Sequence, residues 1–228
     1  MIIWTHRGNP GVENTLEGFK QAWGAGIRHF ETDIHLTKDG VIVLSHDPDT
    51  SRLSTSSQLI NELTFDELQQ FPVEGSHSWA RLEDLIDAFP EAHISIDLKC
   101  DEVVIPFTEF AKGKNYSRWV VGSFSTSRVQ HIRNHFPDLL TALTPREVLF
   151  MLLGIKHSGI KDGLHYAMVP PTMKGIRIVT KRFVKRCHKF NIKVFVWTIN
   201  SKDELNELSK IGVDGVVSDV FPHLLDAK

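Results

Sequence analysis

Apolar residues along this chain recur in two alternating rhythms. Short runs rich in β-branched and aromatic residues fall at Ile2–Thr5, His29–Ile34, Val41–Ser45, His93–Leu98, Trp119–Ser123, Leu139–Leu143, His165–Val169, Val194–Thr198 and Gly215–Ser218, and these predict strands. Between them, apolar positions spaced by three and four predict helices over Thr15–Trp23, Arg81–Ala88, Val103–Lys112, Thr126–His135, Pro145–Ile155, Thr180–Phe190 and Lys202–Ile211. Asn14, Ser125 and Ser201 stand just before three of these helices as expected caps. Strand and helix alternating over the whole length predict parallel strands joined by helical crossovers. Eight or so strands in a chain of 228 residues fit a TIM-type (β/α)8 barrel better than an open sheet, although periodicity alone leaves a doubly wound sheet open.

Two places break the rhythm. Residues Ile34–Ser45 read IHLTKDGVIVLS, two strand-like arms around Lys38-Asp39-Gly40, which predicts a hairpin. From about residue 47 to 78 the chain turns polar, with one short helical piece at Phe65–Gln70. A stretch that long, placed after the third strand, is an insertion, and insertions in barrels usually cover the active face.

Composition narrows the setting. The chain is 41% hydrophobic and 24% charged with a formal net charge of −2, so bulk electrostatics select neither nucleic acid nor an anionic membrane. Cys100 and Cys187 lie far apart in no CxxC pattern, which argues against a disulfide scaffold or zinc site and fits a reducing compartment. No apolar run approaches the ~18 residues of a membrane span. The N-terminal MIIW lacks the features of a signal peptide. The expectation is therefore one cytoplasmic barrel domain over residues 1–228, without stable membrane insertion and without a nucleic-acid partner.

In a barrel, chemistry belongs at the C-terminal ends of the strands. The first strand ends at His6-Arg7, and the second carries Glu31 and Asp33, two apart and so on one face. The predicted hairpin returns His46 to the level of Asp33. The fourth strand carries Asp97 and Lys99 with the same spacing, and a late strand delivers Trp197, Thr198 and Asn200. A charge on the inward phase of a barrel strand needs partners, and converging partners of this kind mark a site. Three carboxylates without cysteine make a hard oxygen site suited to one divalent ion, Mg²⁺, Ca²⁺ or Mn²⁺. With that ion the carboxylates carry −1, and Arg7 and Lys99 bring the pocket to +1, a match for a singly charged phosphodiester. Two histidines can divide proton removal from proton delivery.

The motifs HRGNPGVENT, FETDIHLTKDGVIVLSHD, SIDLK and VWTIN followed by GVDGVVSD resemble, in that order and along nearly the whole chain, the glycerophosphodiester phosphodiesterase family. That resemblance implies a (β/α)8 barrel with a small insertion after the HD motif. It also implies metal-dependent hydrolysis of glycerophosphodiesters to glycerol 3-phosphate and an alcohol. His6 and His46 would be the acid and base, Glu31, Asp33 and Asp97 the metal ligands, and Arg7 and Lys99 the phosphate-binding cations. Glu13 and Asn14 match the ENT motif that shapes the same site, and Trp197 matches the late tryptophan. In the family the fourth-strand motif usually reads E-x-K, whereas Asp97 here is one methylene shorter. The family's proline-threonine after the insertion is replaced by Ala80-Arg81. Sphingomyelinase D and lysophospholipase D share the E-x-D pair, D-x-K and a late tryptophan, and are the alternative. A noncatalytic phosphate-binding barrel is a third reading, disfavoured because binding alone does not call for two histidines beside a metal site.

Other features have simpler readings. Lys181, Arg182, Lys185, Arg186 and Lys189 make a basic helix face, expected to be solvated. Val148–Ile155 is apolar on all sides, so that neighbours cover it or it meets an acyl chain or a second subunit in a homodimer. His35 shares the inward phase of Glu31 and Asp33 or caps the hairpin, and the remaining histidines read as scattered surface residues. Gly8 is expected to let the backbone approach the anion closely.

Overall fold

A computed structural model describes residues 1–155 and 165–220. Parallel strands β1 (Ile2–His6), β2 (His29–Leu36), β4 (His93–Leu98), β5 (Trp119–Gly122), β6 (Leu140–Ala142), β7 (His165–Val169), β10 (Lys193–Val196) and β11 (Gly215–Ser218) follow one another around a ring. Their order is β1-β11-β10-β7-β6-β5-β4-β2, and β1 also pairs with β2, closing a (β/α)8 barrel. Helices α1 (Leu16–Gly24), α3 (Leu82–Ala88), α4 (Val104–Ala111), α5 (Thr126–His135), α6 (Pro145–Leu153), α7 (Lys181–Lys189) and α8 (Lys202–Lys210) form the crossovers. The extra strand β3 (Ile42–Leu44) runs antiparallel to β2. All nine predicted strands and seven predicted helices are present, with ends moved by a residue or two. A small hairpin, β8 (Thr172–Met173) with β9 (Ile176–Arg177), was not foreseen.

By contacts the chain forms two compact units, one of Met1–Thr5 with the residues from Val120 onward and one of His6–Trp119. In the first unit Val184, Cys187, Val194, Val196 and Val216 belong to the main core, and Trp4 meets Phe195 edge-on at 5.6 Å. Helix α7 buries Phe183, Val184 and Cys187 and leaves Lys181, Arg182, Lys185 and Lys189 exposed, as its amphipathic pattern requires. Helix α6 starts at a capping box, Thr144 with Glu147, and has Pro145 in its first turn. Its last carbonyls accept from the Arg186 guanidinium, 3.0 Å from Met151 O and close to Leu152 O. It buries Val148 and Met151 but leaves Leu149 and Leu153 exposed, as is Ile155 just beyond its end. His165, expected at the surface, is buried with Nδ1 2.9 Å from Thr141 Oγ1.

In the second unit the β2–β4 register sets Glu31 beside Ser95 and Asp33 beside Asp97. The hairpin turns at Gly40, where φ is +83° and the N–H donates to Thr37 O at 3.0 Å. It returns so that Ser45 N–H donates to Asp33 O at 3.0 Å, which puts His46 next to that level. The polar stretch that follows has a core of its own: Leu53, Ile60, Leu68, Val73 and Trp79 pack with Val43 of β3. Within it, α2 (Phe65–Leu68) begins at a Thr64–Glu67 capping box, and Trp79 Nε1 donates to Phe71 O at 2.7 Å. The insertion is built structure, held by side chains spread too thinly for a periodic pattern.

Candidate active site

The loop after β1 starts the site. Arg7 takes a left-handed conformation at φ +58°, and its N–H donates to Glu31 O at 2.9 Å, which sets His6 beside the acidic stretch of β2. Asn14 is also left-handed, at φ +54°, and its N–H closes the loop onto Arg7 O at 2.6 Å. Two non-glycine residues in this region are an outlay that surrounding contacts must hold in place. Thr15, not Asn14, is the helix cap, accepting from Gly18 N–H. Asn14 turns inward instead: it is buried, its Oδ1 accepts from Thr32 Oγ1 at 2.7 Å, and its Nδ2 has no hydrogen-bond partner among the described residues. Gly8, at φ +91°, has the α1 backbone as its close neighbour; a Cβ there would lie 3.1 Å from Gly18 C.

Asp33 is the hub, with its side chain almost wholly buried. Lys99 Nζ lies 2.7 Å from Asp33 Oδ1 and 2.7 Å from Asp97 Oδ2, so one ammonium bridges the register-paired aspartates. Arg7 Nε approaches Asp33 Oδ2 to 2.9 Å without the N–H pointing along the contact, so both atoms stay without a hydrogen bond. Burial weighs on Glu31 and Asp97 despite these two cations. Burial first, then the Asp33 charge, raises the Glu31 carboxyl well above its ordinary pKa against the pull of Arg7 and Lys99. Asp97 is also raised, chiefly by burial, although Lys99 favours its ionised form. Opposite these effects, Lys99 is held above its usual value by the aspartates despite its own burial.

His46 comes from the returning arm of the hairpin. Its Nδ1 lies 2.7 Å from Asp47 Oδ1. Burial would raise the Asp47 carboxyl, but hydrogen bonds from His46 and Arg52 outweigh it and hold the group below its ordinary pKa. An ionised carboxylate only accepts, so Nδ1 carries the hydrogen and Nε2 is left for chemistry. His35 is buried behind His46, with Nε2 3.3 Å from His46 O and its pKa lowered by burial. Glu13 places both carboxylate oxygens on Arg52 at 2.7 Å and lies 3.5 Å from Arg7 Nη1.

The structure thus gathers His6, Arg7, Glu13, Asn14, Glu31, Asp33, His46, Asp97 and Lys99 within the His6–Trp119 unit. Trp197 lies outside that unit, after β10, edge-on to exposed Phe124 at 6.2 Å. Asp47 and Arg52 are the residues that sequence reasoning passed over, and His35, left between an inward and a capping role, packs behind His46. Asp47 was adjacent to a chosen histidine; Arg52 carried no signal beyond a charge in a polar stretch.

Among the described residues no three histidine, cysteine or acidic side chains close around a point where a metal ion would sit. Lys99 takes the space between two of the three expected ligands. The donor chemistry nevertheless fits a divalent ion. The set is all oxygen, burial raises the carboxyls of Glu31 and Asp97, and Asp33 Oδ2, 2.9 Å from Arg7 Nε, accepts no hydrogen bond among the described residues.

Residues 6–222 match the Glycerophosphoryl diester phosphodiesterase family. A probable glycerophosphodiester phosphodiesterase 2 of Mycobacterium tuberculosis is 24% identical, over 96% of this chain and 87% of its own. A lysophospholipase D of Rattus norvegicus is 24% identical, over 94% of this chain and 82% of its own. Among solved structures, an Oleispira antarctica phosphodiesterase in complex with the product sn-glycerol-3-phosphate superposes with a TM-score of 0.82 at 20% identity, covering 100% of this chain and 96% of that one.

Proposed function

The chain is a phosphodiesterase of the glycerophosphoryl diester phosphodiesterase family, and from that premise we propose metal-dependent hydrolysis of glycerophosphodiesters to glycerol 3-phosphate and an alcohol, with His6 and His46 as acid and base. The observation that carries this reading is Lys99 bridging Asp33 and Asp97 with Arg7 at Asp33, two cations among three carboxylates, beside a Glu31 carboxyl raised by burial and the Asp33 charge.

Glu31, Asp33 and Asp97 would hold the ion. When bound, it neutralises charge on the phosphoryl oxygens. Arg7 and Lys99 complete the cationic complement of a phosphodiester, Arg7 through a planar fork and Lys99 as a point charge. His46, with Nδ1 committed to Asp47, gives or takes a proton at Nε2. His6, at the end of β1, takes the complementary step. One of the two removes a proton from the nucleophile, water or the substrate's own glycerol hydroxyl, and the other protonates the departing alcohol. Attack by the glycerol hydroxyl passes through a cyclic phosphate, which water then opens.

A lysophospholipid is the second substrate reading, favoured by the Rattus norvegicus relative's name. Phosphorus NMR of the products separates the two. Glycerophosphocholine and glycerophosphoethanolamine are expected to yield glycerol 3-phosphate in the presence of Mg²⁺, Mn²⁺ or Ca²⁺. Turnover of lysophosphatidylcholine alone would move the assignment to the second reading, and no turnover of any of the three would reject both.

A further inference from the structure

Arg52 lies in the insertion, in no motif of the sequence, yet its guanidinium grips two carboxylates of the site at once. Nη1 and Nη2 donate to Glu13 Oε2 and Oε1 at 2.7 Å each, and Nε donates to Asp47 Oδ2 at 2.5 Å. From Asp47 the contacts continue to His46 Nδ1 at 2.7 Å, and from Glu13 to Arg7 Nη1 at 3.5 Å. An unbroken line therefore runs from the catalytic imidazole to the phosphate-binding arginine, and Arg52 is its middle member.

A partly exposed arginine in an ion pair ordinarily contributes little. Here the geometry is more demanding, because the fork uses Nε and both terminal nitrogens, an arrangement that lysine cannot copy. The backbone that presents it is also held. Thr50, fully buried, donates from Oγ1 to Ser56 O at 2.6 Å, accepts there from Gln58 N–H at 3.1 Å, and accepts from Ser54 N–H on its carbonyl at 2.8 Å. Leu53 is buried in the insertion's own core, and its carbonyl accepts from Glu74 N–H at 2.7 Å. Arg52 is thus set between two anchored neighbours, its side chain aimed by the turn.

We propose that Arg52 is a positioning residue of this active site. It holds Asp47 where Asp47 fixes His46 as the Nδ1–H tautomer, and with the same guanidinium holds Glu13 against Arg7. The insertion then serves the chemistry, since it supplies the link between two walls of the phosphate pocket. Glu13, in this arrangement, steers Arg7 and does not touch the anion.

The kinetic arm of the test rests on the phosphodiesterase reading; the spectroscopic arm does not. Wild type, Arg52→Gln, Arg52→Lys, His46→Asn and the Arg52→Gln/His46→Asn double variant are compared for kcat/KM on glycerophosphocholine, thermal midpoint and imidazole ¹H–¹⁵N spectra. His46 is assigned by the signal lost in His46→Asn. Arg52→Gln is expected to lower kcat/KM by about 10- to 100-fold, the usual cost of losing an orienting partner. It is expected to shift His46 from the Nδ1–H tautomer toward a mixture, with Arg52→Lys recovering only part of both. The double variant is expected to lose less than the product of the two single losses, because the Asp47 arm of Arg52 acts through the histidine while the Glu13 arm acts through Arg7. Wild-type kcat/KM in Arg52→Gln with an unchanged His46 signal would overturn the proposal, as would fully multiplicative losses with that signal unchanged. If Arg52→Gln does not fold, Arg52→Lys carries the same readouts. If wild type hydrolyses no glycerophosphodiester, the functional reading falls while the His46 spectrum still decides the role of Arg52.

Discussion

Arg133 with Glu147 in one unit, and Arg7 and Lys99 with Glu31, Asp33 and Asp97 in the other, are buried clusters made from the same chemistry. The first is closed. Arg133 grips Glu147 through two nitrogens at 2.5 and 3.1 Å and donates Nε to Thr141 Oγ1 at 2.9 Å. Glu147 also accepts from the Thr144 N–H at 2.8 Å in the capping box of α6. Burial would raise its carboxyl, but Arg133 and Thr144 prevail and hold it below its ordinary pKa. The second cluster is less fully matched: burial raises Glu31 and Asp97, Arg7 Nε meets Asp33 Oδ2 at 2.9 Å without a hydrogen bond, and Asn14 Nδ2 has no partner among the described residues. Where a fold uses charge to hold itself together, lone pairs and protons are matched. In the second cluster the match is incomplete, and burial leaves carboxyls raised, as expected of a cluster whose charge serves binding or chemistry.

The largest effects that would sharpen this contrast lie at the histidines. His46→Asn and His6→Asn should each cost about 10²–10⁴ in rate, the scale of general acid–base catalysis, with thermal midpoints little changed. A p-nitrophenolate leaving group needs little protonation, so bis(p-nitrophenyl) phosphate should rescue the variant lacking the acid and not the one lacking the base. Equal losses for both variants on both substrates would mean that the histidines position phosphate without moving protons.

Glu147→Gln should do the opposite. Breaking a buried pair leaves Arg133 uncompensated, at a cost of about 3 kcal/mol, and thermal denaturation should show a midpoint lower by on the order of 10 °C. Its kcat should match wild type; a large loss of kcat would erase the distinction between the clusters. The pH dependence follows in sign. Glu147 has a folded-state pKa below the unfolded value of about 4.3, so its contribution is complete above that value. It is lost as pH falls through the lower, folded value. The gap in thermal midpoint between wild type and Glu147→Gln should therefore be widest near neutral pH and close in acid.

The legibility of the two clusters differed as well. Glu31 and Asp33, and Asp97 and Lys99, stood out because a period of two in a strand puts them on one face, and the Lys38-Asp39-Gly40 turn told where His46 would land. The alternation of strand and helix made the barrel readable from end to end. The short hairpin Thr172–Arg177 was hidden, since two-residue strands carry no rhythm. Asn14 and Thr15 are both good caps, and the choice between them depended on Asn14 adopting a left-handed backbone under Thr32. Arg52 was invisible for a related reason: its partners, Glu13 and Asp47, are brought together only by the folded insertion. Arg133 and Glu147 likewise became a pair only through tertiary packing, although Thr144 and Glu147 already spelled a capping box.

A smaller effect is expected at Asp97. Asp97→Glu keeps the charge and adds one methylene of reach, so activity should stay within about tenfold of wild type, as expected when only ligand placement changes. The order of preference among Mg²⁺, Mn²⁺ and Ca²⁺ should change, measured as rate at saturating metal. An unaltered order would mean that Asp97 does not contact the ion.

A divalent cation is expected to complete the cluster of Glu31, Asp33 and Asp97. Glycerol 3-phosphate release from glycerophosphocholine, measured on protein stripped with EDTA and verified metal-free, tests it most directly. No release without metal, and recovery on adding back Mg²⁺, Mn²⁺ or Ca²⁺, is the predicted result. Full activity in the metal-free protein would contradict it.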